Sequence, residues 1–252
     1  MISVKDMRRV FNQVSAGILV NAVYEMRNYP IVLLNTVLSP LSFLILIVFV
    51  SRGALIQDAI VGGFIMSMFS NGIALQADLS HLKNDFKLQD MIVSSPASAA
   101  SYVTGMALSE VVYSSPALFV LALLALFFIH TSILSIIVLL AVLLTVFLTS
   151  VALGFTLATF SSDIVQSFAF SRLISTLFST LPPVYYPITF IPLPYRYLAY
   201  LSPTTYAAQI AQNAINGYAT SIPDMAFDWA ILLVVTLLLI IVAWKKARWR
   251  ED

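Results

Sequence analysis

The chain has 252 residues, of which 60% are hydrophobic and only 10% charged, against about 25% charged in an average soluble domain. The net charge of +1 gives no electrostatic reason to expect nucleic acid as a partner. The absence of cysteine excludes disulfides, iron–sulfur clusters and thiol catalysis, and the two histidines, His81 and His130, stand too far apart in sequence to suggest a metal site.

Residues 3–28 come first. Val4, Met7, Phe11, Val14 and Ile18 recur at three- and four-residue spacing, with Lys5, Arg8, Arg9, Asn12 and Gln13 on the remaining surface. That pattern predicts an amphipathic helix lying in the membrane surface or packed on a cytosolic partner. The polar start lacks the short apolar core and small-residue cleavage site of a signal peptide.

Apolar runs at about 30–51, 58–78, 103–128, 133–159, 164–182 and 228–244 approach or exceed the ~20 residues that cross a ~30 Å hydrocarbon core. They predict an all-α integral membrane protein: one transmembrane domain over 1–252 with six spans. Very short connections join the first span to the second and the third to the fourth, as helical hairpins require. With the N-terminus inside, eleven of the thirteen Lys and Arg residues fall on the cytoplasmic side and only Arg52 and Arg196 outside. Both termini are then cytoplasmic in a multi-pass protein of the cell membrane.

Inside the spans, polar side chains recur at four-residue spacing. Ser167, Ser171, Ser175 and Ser179 form one stripe on the fifth span. Ser67 and Asn71 repeat the spacing on the second, with Ser70 beside them. Such a stripe serves close helix packing, with hydroxyls bonded to their own helix, or lines a polar path at a twofold axis. Glu110 is the one carboxylate well inside a span and must face protein or water. Ser109, Tyr113 and Ser114 surround it, which suits a packing hydrogen bond. A proton-coupling role would instead make the chain a secondary transporter.

The connection 79–101 is the longest on the cytoplasmic side. Lys83, Asp85, Lys87 and Asp90 charge its first half, Phe86 follows Asp85, and Met91-Ile92-Val93 is apolar. A helix of ~8–10 residues fits before Pro96, since the residue preceding proline disfavours helix. Its apolar patch rimmed by charge suits docking into a groove on a partner, and equally a rest on the membrane surface.

The stretch 182–206, PPVYYPITFIPLPYRYLAYLSPTTY, holds six of the eleven prolines and six of the eleven tyrosines. Proline forbids a continuous helix, non-helical backbone is not tolerated against lipid, and tyrosine favours the headgroup level. The segment 183–216 therefore reads as a re-entrant outer-leaflet element between spans five and six, or as a Pro-rich surface loop. A short helix restarts near Thr204, capped by Ser202 or Thr204.

YYPITFIPLPYRYLAYLSPTTYAAQ resembles the pattern near the C-terminus of the membrane subunits of ATP-binding-cassette exporters of the type-2 permease family. KNDFKLQDMIVSSPASAASYVTGMALSE resembles the same family's connection between its second and third spans. Order, spacing and topology agree over about 5–245. The resemblance implies a homodimeric permease that moves an amphipathic cargo (a drug, lipid or lipid-linked glycan) outward, driven by a separate ATPase chain that holds ATP and Mg. It implies ATPase coupling through Lys83, Asp85, Phe86, Lys87, Asp90, Met91 and Ile92, and a substrate path on the second and fifth spans. That path comprises Ser67, Ser70, Asn71, Ser167, Ser171, Ser175 and Ser179. It also implies an outer gate at Tyr185, Tyr186, Pro187, Pro192, Pro203 and Tyr206. The helix after Tyr206 departs from the family pattern, offering Gln209, Gln212 and Asn213 where an arginine is common. No phosphate-binding loop accompanies Gly62-Gly63, which sits among apolar residues without a lysine, so no cofactor is expected in this chain. A lipid-modifying enzyme ranks last, since the Tyr/Pro stretch holds no Ser–His pair, carboxylate pair or metal-ligand set.

Overall fold

The computed structural model of the chain describes residues 4–84, 99–161, 163–180, 182–217 and 221–246. Its regular structure is all helical. The N-terminal segment runs as α1 (Val4–Ile18), a single π turn (Leu19–Val23) and α2 (Tyr24–Asn28). Beside the π turn, the Asn21 amide donates to the Gly17 carbonyl, 3.0 Å, and to Met106 Sδ, 3.0 Å.

Next come α3 (Pro30–Val50), α4 (Ile56–Asn84), α5 (Ala99–Phe128) and α6 (Ile133–Phe160). They are followed by α7 (Ile164–Thr180), the 3-10 turn Ile188–Phe190, and α8 (Arg196–Ala199). The chain closes with α9 (Pro203–Asn216) and α10 (Ile222–Lys246). Proline opens α3 at its first turn, where the missing N–H costs nothing. The α3–α4 turn is tight because Arg52 (φ 53°) and Gly53 (φ 84°) both take the left-handed conformation. Ser132 caps α6 by accepting from the Ser135 amide, 3.2 Å.

Among the described residues, five helices are long and apolar enough to cross a membrane: Leu33–Val50, Ile56–Ala77, Thr104–Phe128, Ile133–Ala158 and Ile222–Lys245. The expected span at 164–182 forms α7, whose 17 residues reach about 26 Å and carry Arg172 and the serines. It is therefore shorter than the other five. The apolar run expected at 228–244 lies within α10, which begins at Ile222. Ser221 accepts from the Asp224 amide, 3.2 Å, and its hydroxyl donates to Asp224 Oδ2, 2.6 Å; this reciprocal cap starts the helix a turn and a half early.

The helix α4 is the centre of the molecule. Every residue from Asp58 to Phe69 is buried, which explains why α4 carries no apolar stripe: it is surrounded. It packs against α3, α5, α6, α7 and α9. Close approach to α6 is made by Gly72, on which a Cβ would collide with the Ser150 side chain, and by Gly154, whose Cβ would stand 3.1 Å from the Gly72 carbonyl oxygen. Small residues at such crossings let backbones meet where lipid supplies no hydrophobic drive.

Candidate functional site

Two polar regions are built on α4. The first is a pocket of about 260 Å³ between α3, α4 and α7, lined by Asn35, Thr36 and Ser39 of α3, Ser67, Ser70 and Asn71 of α4, and Ser175 of α7, with Phe43 and Tyr185 among its walls. The four-residue periods of α4 and α7 bring Ser67, Asn71 and Ser175 onto facing stripes. Ser67 is among the residues that line the pocket, and its hydroxyl oxygen is buried without a hydrogen-bond partner. The Asn71 amide donates to Ser114 Oγ on α5, 2.7 Å, and Ser114 in turn donates to the Glu110 carbonyl, 2.8 Å. Glu110 itself is buried, 4% exposed.

Below this pocket the serine stripe meets Gln76, a residue the sequence reading did not single out. Ser171 Oγ donates to Gln76 Oε1, 3.0 Å, and Ser167 Oγ to the Gln76 carbonyl, 3.2 Å. The Gln76 amide donates to Ser161 Oγ, 3.1 Å. Gln76 is fully buried and joins α4 to α7 and to the end of α6. The criterion applied to Asn71, an amide inside an apolar run, would have found it. Thus Ser167 and Ser171 bond to Gln76, Ser175 lines the pocket, and the Ser179 side chain lies outside the described residues.

The outer residues separate into two groups. Tyr185 is 4% exposed, stacks on Phe43 with ring centroids 5.6 Å apart, and lines the same pocket as Asn71. Burial pushes its phenol well above the ordinary range. Its neighbour Val184 accepts from the Gln212 amide of α9, 3.0 Å. The backbone of Val184 and Tyr185 lies directly on Gly62 of α4. Pro187 and Tyr206 instead face a second, larger cavity near the start of α10. Tyr206 donates to the Tyr200 carbonyl, 2.9 Å. Pro203 is buried at the first turn of α9, capped by Ser202, while Tyr186 is half-buried and Pro192 exposed.

Of the residues expected to couple to an ATPase, Lys83 lies in the last turn of α4. Asp85, Phe86, Lys87, Asp90, Met91 and Ile92, with the short helix expected there, lie outside the described residues.

The model of the ABC-2 type transporter family matches residues 15–216. The chain belongs to this family. No curated protein matches it. Membership makes it a multi-pass permease of an ABC-type transporter, the membrane subunit of a machine that in general works with an ABC ATPase. The matched region includes both polar regions on α4, the serine stripe and α9. Its C-terminal limit coincides with the end of α9 at Asn216, where the Asn216 amide donates to Asp58 Oδ1, 2.7 Å. In an ABC-2 permease with this arrangement, the groups that face one another across α3, α4 and α7 are hydroxyls and amides rather than charges. They can exchange hydrogen bonds with a neutral polar group while the surrounding walls hold apolar surface.

Proposed function

We propose that the chain is the permease of an exporter: it moves an amphipathic molecule outward, works as a homodimer, and is driven by a separate ATPase that binds ATP and Mg. The observation that carries this reading is the pocket formed by Ser67, Ser70, Asn71 and Ser175 beside Tyr185, where α4 and α7 meet α3. A polar-lined hollow inside an apolar bundle, with one hydroxyl left unpaired, suits cargo with both polar and apolar surface. On this reading α7 completes a sixth span despite its length, since a short polar helix is tolerated where it faces protein or a wet cavity. The N-terminal helices lie in the inner interface, both termini are cytoplasmic, and 183–216 is a re-entrant outer-leaflet element. Segment 79–101 docks on the ATPase. The buried Glu110, on the same helix as Ser114, serves packing, and the reading as a proton-coupled transporter is not favoured.

The test is Ser175→Cys in the assembled transporter. Small water-soluble thiol reagents should reach it, and cargo should protect it or ATP turnover should change its rate. Labelling by lipid-soluble reagents alone, with no effect of cargo or ATP, would place position 175 against lipid and remove the basis for the proposal.

A further inference from the structure

We infer that the larger cavity is a binding site for an organic cation, ammonium or phosphonium in type, within a single copy of the chain. It has a volume of about 890 Å³, inside the range of ~300–1,000 Å³ typical of small-molecule sites. It lies between the 187–190 segment, α9 and the first turns of α10, apart from the pocket of Asn71 and Ser175.

Three observations set the ligand's chemistry. The first is Asp228, which lines the cavity, is only 8% exposed, and has no hydrogen bond or ion pair among the described residues. Its carboxylate meets water only through the cavity, between apolar walls, and a cation placed there gains an opposite charge in a setting of low polarity. No Lys or Arg lines the cavity. Arg196 is engaged with the carbonyls of Thr189 and Ile191 at 3.0 to 3.3 Å, and Arg52 is exposed on the α3–α4 turn. The second is the wall. Phe190, Tyr200, Tyr206 and Phe227 all line the space, and aromatic faces attract a weakly hydrated cation. The third is Gln209, whose amide nitrogen is buried without a partner on the same wall. It is a donor suited to a polar group next to the cation. Asp224 lines the cavity too, but is exposed and bonded to Ser221, so it adds negative potential and no direct demand for a partner.

The site would take a molecule with an apolar body and one positive centre. The same chemistry is offered by a soluble amphipathic cation and by a choline or ethanolamine headgroup. Its occupancy is independent of the transport reading above, because the readout is binding to the isolated chain.

The purified full-length chain in uncharged maltoside micelles is titrated with tetraphenylphosphonium, and in parallel with tetraphenylborate, an anion of matching size and shape. Expected are saturable binding of one phosphonium per chain and no saturable binding of the borate. Asp228→Asn should weaken phosphonium binding at least tenfold without lowering the melting temperature. Gln209→Arg is the second variant: it places a cation on the same wall, should hold the fold through Asp228, and should also remove binding. Competition by short-chain phosphatidylcholine but not phosphatidylglycerol assigns the occupant to a lipid headgroup, and absence of competition assigns it to a soluble cation; either supports the site. Equal binding of borate and phosphonium, or wild-type affinity in both variants, overturns the proposal.

Discussion

Gly62→Ala should loosen the element between α7 and α9, and the structure gives the size of the effect. A Cβ at position 62 would stand 2.5 Å from the Val184 carbonyl oxygen, 2.7 Å from the Tyr185 Cα and 2.8 Å from the Val184 carbonyl carbon. All three are backbone atoms and cannot rotate away. Restoring a contact of 3.4 Å moves the 184–185 backbone by about 0.9 Å. Overpacking of this kind costs ~1–3 kcal/mol. The helical gain of alanine over glycine offsets at most ~1 kcal/mol. Moving Val184 also strains the hydrogen bond from Gln212, 3.0 Å, and leaving that buried amide unpaired adds ~1–3 kcal/mol. The net loss is ~1–5 kcal/mol, or roughly 2–20 °C in melting temperature for a chain of this size. Gly63→Ala is the control: its Cβ would meet only the tip of Leu121, 2.8 Å away, which can turn aside. Melting of the purified chain, with thiol labelling of a Tyr186→Cys reporter, checks both changes. The reasoning is wrong if Gly62→Ala melts at or above wild type, or if Gly63→Ala falls as far.

Two further changes probe the polar contacts. Gln76→Leu removes the acceptor of Ser171 and the donor to Ser161, and should cost ~1–3 kcal/mol and raise thiol labelling of Ser175→Cys; unchanged melting and labelling would show that α7 is held by packing alone. Glu110→Gln keeps the size and bonding capacity of a buried group, so ATP-driven transport should survive it; loss of transport, together with proton counterflow in the wild type, would favour proton coupling.

The sequence made some of this arrangement visible and hid the rest for physical reasons. The four-residue serine period and the amide of Asn71 were readable because polar groups in an apolar run need partners. The cap on α9 was readable because Ser202 precedes Pro203 in a pattern few other structures tolerate. The helices α4 and α10 begin before the apolar runs expected at 58–78 and 228–244, at Ile56 and Ile222. Asp58 and Asp228 marked the first residues of two expected spans, yet both are buried inside helices, 2% and 8% exposed. Asp58 is accommodated by the Asn216 amide, and Asp228 faces a cavity, neither of which is local in sequence. The Ser-Ile-Pro-Asp run at 221–224 held the missing information, since a hydroxyl three residues before a carboxylate is a helix start. α7 differs again: its serines were legible as a stripe, but that Ser171 bonds to Gln76 and Ser175 lines the pocket depends on α4, which is distant in sequence.

The polar residues of α4 explain how a buried helix with no apolar stripe is fixed in rotation and depth. Lipid tails are as apolar as leucine, so burial of Ile60, Ile65 or Phe69 against neighbours does not distinguish one rotation from another. Directional bonds do. Asp58 accepts from α9 through Asn216, Asn71 donates to α5 through Ser114, and Gln76 bonds α7 through Ser171 and the end of α6 through Ser161. Each amide or carboxylate addresses a different neighbour, and together they fix the register along more than four turns. Ser67 lies between them, on the same helix, with no partner. A movement of α7 away from α4 must first part Ser171 from Gln76, which makes that contact a latch beside the pocket walls.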